Sequence, residues 1–136
     1  MRYFLAKTDP DTYRIDQFEQ ENTTVWDGVK NPQAIKAIRS MEPGDRVFLY
    51  HSGGESRIVG MARVSSPPRP DPADAKSWVM DLEFLSRLDP PTTLAEIKKS
   101  GLFNDWALVR QSRLSTMEAP GNFVEWMRDR YPAFRI

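Results

Sequence analysis

Three apolar runs in the middle of the chain fix most of what it can become. Residues 46–51, 57–65 and 78–88 are rich in Val, Ile, Phe, Leu and Trp, the side chains that suit a pleated, half-buried surface. Ser52-Gly53-Gly54-Glu55 joins the first two as a hairpin turn. Residues 66–72 join the second to the third and carry four prolines, which cannot donate to a sheet ladder, so this stretch reads as a loop. Strands joined in this way must pair, and the rest of the chain must cover them.

The covering segments are short. Residues 2–7 predict an opening strand closed by the turn Asp9-Pro10-Asp11. Residues 15–19 predict a brief helix with Asp16 as N-cap and Glu19 at capping-box spacing. Residues 25–30 read as a turn-containing segment. Asn31-Pro32 opens a helix, because Asn caps free amides and Pro at the first position forfeits no hydrogen bond. Ala34, Ile35, Ile38 and Met41 share one face of it. Thr93 and Glu96 form a second capping box. Residues 108–110 and 114–117 predict short strands, and 122–131 an amphipathic helix carrying Phe123, Trp126 and Met127. The class is α+β, a mixed or antiparallel barrel-like sheet with short flanking helices. Residues 1–136 are expected to form a single domain, since a self-sufficient core needs roughly 60 residues.

Composition narrows the chemistry. The absence of cysteine excludes disulfides, thiolate nucleophiles and cysteine-ligated zinc. One histidine, His51, leaves no histidine-based metal cluster, and no Gly-x-Ser-x-Gly elbow or phosphate-loop spacing occurs. A triad through His51 and a serine is conceivable; local hydrogen bonding at a strand end explains the residue more simply. No apolar run approaches the roughly 20 residues of a membrane span, and the first seven residues do not form a secretory signal. A cytoplasmic location and no membrane partner are therefore expected. Nineteen basic residues balance nineteen acidic ones, so the chain does not coat phosphate backbones, whose affinity comes from counterion release. The charge is nevertheless segregated: five acids against one Arg fall in residues 9–21, whereas residues 56–70 hold Arg57, Arg63 and Arg69 and no acid. Arginine supplies 13 of the basic residues, which favours planar, bidentate recognition.

Two stretches suit binding. Trp78 and Trp126 read as core. Trp26, beside Asp27-Gly28, serves either as a base-stacking wall or as core. Leu108-Val109-Arg110-Gln111-Ser112-Arg113-Leu114-Ser115 places two arginines, an amide and two hydroxyls in an acid-free run, suited to a flat polar ligand or a phosphate, or else to a solvated strand edge.

Leu5-Ala6-Lys7-Thr8-Asp9-Pro10, Trp26-Asp27-Gly28-Val29-Lys30-Asn31, Gly44-Asp45 with Phe48-Leu49-Tyr50-His51-Ser52, Ile58-Val59-Gly60-Met61-Ala62, and Arg113-Leu114-Ser115 follow one another as in EVE domains, which the chain resembles over about residues 2–117. EVE domains belong to the PUA-like superfamily. The resemblance implies a PUA-like pseudo-barrel of about five or six strands with short flanking helices. It also implies non-catalytic recognition of a nucleobase, often modified, in a pocket related to the aromatic cage of YTH domains. Carried over, the pocket comprises Lys7 and Thr8; Trp26, Val29 and Asn31; Tyr50, His51 and Ser52; and Arg113, Leu114 and Ser115.

In that scheme Trp26 stacks on an extruded base and Leu114 or Val29 covers its other face. Thr8, Asn31 and Ser52 or Ser115 read its edge, and Lys30, Arg110 and Arg113 hold phosphates. The expected partner is a nucleic acid with a modified base, DNA or RNA, and no cofactor or metal is expected. The alternatives are a hydrolase or nuclease of the related ASCH type, recruiting Lys7, Thr8, His51 and Arg113, and a small-molecule or anion-binding PUA-like protein. The chain departs from the family pattern at Thr8-Asp9 (usually Ser-Glu), Lys30 (Arg), Pro32 (Tyr) and Ile35 (Arg), and its 67–75 loop is shorter. These changes bear on the ligand rather than on the fold.

Overall fold

A computed structural model describes all residues, Met1–Ile136. In chain order the elements are β1 (Tyr3–Thr8), α1 (Ile15–Glu21), β2 (Thr23–Trp26), α2 (Pro32–Arg39), β3 (Arg46–His51) and β4 (Arg57–Val64). There follow β5 (Arg69–Asp71), β6 (Asp74–Thr93), α3 (Leu94–Ser100), α4 (Ala107–Arg110), β7 (Thr116–Glu118) and α5 (Gly121–Arg130). The α+β class is the one the sequence predicts. The sheet has seven strands in the order β2-β6-β4-β3-β1-β7, with β5 paired to β6 beside that path. Only β1 and β3 run parallel; every other pair is antiparallel.

The strand beyond the expected five or six comes from short pieces. β2 lies where a turn was expected, because Thr23-Thr24-Val25-Trp26 pairs with residues 80–83 of β6. β5 forms inside the proline-rich connection; its three residues are an edge, where Pro70 leaves no central ladder bond unmade. Residues 108–110 form part of α4, not a strand, and β7 is confined to Thr116–Glu118. Asp16 does not cap α1: Arg14 occupies the N-cap without a side-chain bond, and Asp16 pairs with Arg87.

β6 is 20 residues long, too long for one straight strand, and pairs successively with β5, β2 and β4. Register shifts opposite Gly60 let it bend. Both faces of the central strands are covered, so the interior of β3 reads as a continuous apolar run instead of alternating. On the Phe48 face, Phe123 of α5 meets Phe48 edge-on at 5.3 Å. Leu49 and its partner Gly60 face the other way, toward α1. A Cβ on Gly60 would lie 2.3 Å from Ile15 Cδ1 and 2.8 Å from the Ser86 carbonyl, so only glycine lets α1 approach this closely. One cluster of 35 buried apolar residues joins the two sides.

Candidate nucleic-acid interface

The parallel pairing of β1 and β3 brings two strand ends together: Lys7 lies opposite Tyr50 and Thr8 opposite His51. Beyond Thr8 the chain turns sharply. The Asp9 carboxylate accepts from the Asp11 amide at 2.9 Å, and the Asp9 carbonyl accepts from the amides of Thr12 and Tyr13. Thr8 Oγ1 donates to the Tyr13 carbonyl at 3.1 Å, which folds Tyr13 back over the strand end. Trp26 closes the other side from the end of β2. The result is a cleft of about 250 Å³ lined by Lys7, Thr8, Thr12, Tyr13 and, from β2 and its exit, Thr24 to Asp27. It is smaller than the roughly 300–1,000 Å³ of sites that enclose drug-sized molecules.

Its electrostatics follow from burial. Desolvation pushes the Lys7 ammonium below its ordinary pKa. The same ammonium donates to the Ser112 carbonyl at 3.1 Å and lies 5.4 Å from the Tyr50 ring centre. Tyr13 is pushed up to about 12 by burial and by its hydrogen bond to Glu21, to which it donates at 2.6 Å. Burial also raises Tyr50. Tyr13 and Trp26 meet nearly at right angles, 83° between planes and 6.1 Å between centres. Asp27, exposed at the mouth, is in no ion pair.

Of the residues expected from the sequence, Lys7, Thr8 and Trp26 line this cleft. Trp26 is only 7 % exposed and packs against Phe18 as well, so it is core and wall at once. Ser52 supports the site from behind, its hydroxyl donating to the Thr8 carbonyl at 3.2 Å. His51 is 1 % exposed; its Nε2 accepts from the Ile15 amide at 3.1 Å and its Nδ1 meets Glu55 at 3.0 Å, so its ring fastens α1 to β3. The Ser115 carbonyl accepts from the Lys7 amide at 2.8 Å, and Arg113, exposed and in no ion pair, does not line the cleft.

The other candidates are engaged elsewhere. Leu114 and Val29 are buried in the core and, unlike Trp26, line no part of this cleft. The Asn31 carboxamide oxygen accepts from the amides of Gln33 and Ala34, capping α2. Lys30 pairs with Asp74 at 3.0 Å, and Arg110 with Asp105 at 3.0 Å. Sequence reasoning missed Thr12, Tyr13, Thr24, Val25 and Asp27. An aromatic residue just past the Asp9 turn was the available signal for Tyr13. Asp27 was already within the tryptophan segment.

Comparison with known proteins bears on the family and the fold. The EVE domain model matches residues 2–129. Human thymocyte nuclear protein 1 is 32 % identical over an alignment covering 71 % of this chain and 55 % of its own length, so the chain spans about half of that relative. A Rhodopseudomonas palustris protein solved by NMR superimposes with a TM-score of 0.90 at 30 % identity, covering 100 % of this chain and 97 % of that one. The human THYN1 protein, crystallised in complex with DNA containing 5-methylcytosine, superimposes with a TM-score of 0.86 at 21 % identity, covering 95 % and 96 %. With a family match across nearly its whole length and a fold that superimposes end to end, the chain belongs to the EVE domain family.

Proposed function

We propose that this chain is a non-catalytic module that binds nucleic acid and takes one modified base into the cleft between β1 and β2. The observation that carries this reading is the lining: a corner of two aromatic rings beside Lys7, Thr8 and Asp27, whose polar groups retain capacity to hydrogen-bond. A base laid against one ring presents its edge to the other, and stacking tolerates every base because each has a π-face. Asp27 accepts from an exocyclic amine, as carboxylates do from cytosine. The Lys7 ammonium donates one hydrogen bond to the Ser112 carbonyl and keeps two N–H donors for the ligand. The human relative in complex with 5-methylcytosine-containing DNA supports a nucleic-acid ligand and a methylated pyrimidine as the first to test. His51, with both ring nitrogens engaged, supports binding over catalysis.

The test is a titration of fluorescently labelled DNA and RNA oligonucleotides, single-stranded and duplex, each with one central 5-methylcytosine or cytosine. Tighter binding of the methylated strand, without turnover on prolonged incubation, is the expected result. Equal affinity for both bases would overturn the modified-base reading, and substrate breakdown at catalytic protein concentration would overturn the non-catalytic one.

A further inference from the structure

A second concave surface lies on the far side of Lys30. Lys30, Lys36, Arg39 and Lys76, with Pro32 and Ile35, line a groove of about 300 Å³ between α2 and the start of β6. We propose that this groove is the track for the phosphate backbone of the nucleic acid. The proposal rests on the base-binding reading of the cleft only for the path of the strand.

Three observations converge on it. Most arginines are neutralised where they stand: Arg14 and Arg57 by Glu55, Arg63 by Glu83, Arg69 by Asp81, Arg87 by Asp16 and Glu19, Arg130 by Glu96, Arg2 by Glu118, Arg110 by Asp105 and Arg128 by Glu125. In this groove only Lys30 has an ion-pair partner, Asp74. Asp71 and Asp74 are the nearby carboxylates, and both also accept backbone amides of the β5–β6 turn. Four cations thus face two acids that are already engaged, in a chain whose total charge is zero. The other cations outside every ion pair, Lys7, Arg46, Lys98, Lys99, Arg113 and Arg135, line no part of this groove.

The second observation is a flat, pre-positioned donor. The Arg39 guanidinium lies 4.8 Å from the Trp78 ring centre, which holds its fork in one orientation for an anionic oxygen. The third is continuity. The Val29 carbonyl accepts from Ser77 Oγ at 2.5 Å, tying the loop that carries Lys30 to the strand that carries Lys76. Lys30 follows Trp26 by four residues, so their Cα atoms are at most about 14 Å apart. About four phosphates of one duplex strand, at ~3.4 Å of axis each, cover that span. One oligonucleotide can therefore place a base in the cleft and its backbone in the groove.

The experiment compares the wild type with the double variant Lys36→Gln/Lys76→Gln on a 12-nucleotide strand carrying one 5-methylcytosine, across a series of salt concentrations. Both lysines are exposed and outside every ion pair, and an unchanged thermal midpoint certifies the fold. The slope of log affinity against log salt should become shallower by about 1.4–1.8, from two lost contacts at ~0.7–0.9 each. An unchanged slope and affinity would overturn the track.

Free 5-methyldeoxycytidine, titrated against the wild type, reads the cleft alone. If the nucleoside fails to bind while the double variant still flattens the oligonucleotide slope, the base reading falls and the track stands. If the protein binds phosphatidylserine vesicles through these lysines and the oligonucleotide slope does not change, the groove serves a lipid surface and the proposal is overturned.

Discussion

Trp26 carries two duties on one side chain, and they separate by measurement. Stacking contributes about 1–3 kcal/mol per base, so Trp26→Ala should weaken oligonucleotide binding by roughly one to two decades. The indole is also core, packed on Phe18 and Tyr13, so the same substitution should lower stability by about 3–5 kcal/mol. Titrating at a temperature where circular dichroism reports a folded variant isolates the first effect. Affinity unchanged in that folded variant would leave Trp26 a purely structural residue. Asp27→Asn makes a gentler probe, because Asp27 is exposed and unpaired: stability should hold while preference for an amine-bearing base declines. Glu55 shows what a single carboxylate does for the scaffold. Hydrogen bonds from His51 and Arg14 hold it at about 2, against an ordinary 4.5. The folded state thus binds fewer protons there than the unfolded state. Its stabilisation is complete above about pH 4.5 and is lost as pH falls toward 2. Acid unfolding followed by tryptophan fluorescence should show this limb in the wild type and lose it in Glu55→Gln.

Among the elements, α1 depends on a missing side chain and α2 on a present one. Gly60→Ala would drive a methyl into Ile15 and the Ser86 carbonyl, one of which is backbone, and should cost about 1–3 kcal/mol in thermal or denaturant unfolding. Asn31→Ala removes the two-amide cap of α2 and should cost about 1 kcal/mol, with base preference unchanged. A shift in base preference would instead return Asn31 to the ligand. Features whose physics is local were legible in the sequence: the Asn31-Pro32 start, the Thr93–Glu96 capping box, and the β3–β4 hairpin across Gly53-Gly54. What escaped was decided at a distance. β2 exists because β6 pairs with it, and four residues carry too little pattern to announce that partner. Leu108-Val109-Arg110 has strand-like residues, yet it closes into a helical turn through the Trp106 and Ala107 carbonyls. The cleft lining was legible along β1, at Lys7 and Thr8, and at Trp26. Asn31 and Arg110 are engaged elsewhere because each found a nearer partner in the folded chain, the α2 amides and Asp105, and Lys30 lies in the α2 groove instead of the cleft.

For the whole molecule, zero net charge now describes a pattern of pairing more than a lack of field. Most arginines are held in ion pairs, while Lys36, Arg39 and Lys76 stand unpaired along one side of α2. Salt dependence should accordingly be modest, a slope of about −3 to −4 for about four phosphates at ~0.7–0.9 each. A slope steeper than about −6 would mean that the chain lies along the backbone as a coat. The sheet order carries a kinetic corollary for the cleft. β1 is laced on both sides, to β3 and to β7, so the Lys7 wall is fixed. β2 is the terminal strand, four residues long and held by β6 alone. One jaw is therefore an anvil and the other a latch that opens with little loss of pairing. Amide deuterium uptake should be faster across Thr23–Trp26 than across Tyr3–Lys7, and a bound oligonucleotide should slow only the former. Arrival of the ligand would then be timed by how often the latch lifts, so that strengthening β2 slows capture and release together while leaving affinity nearly unmoved.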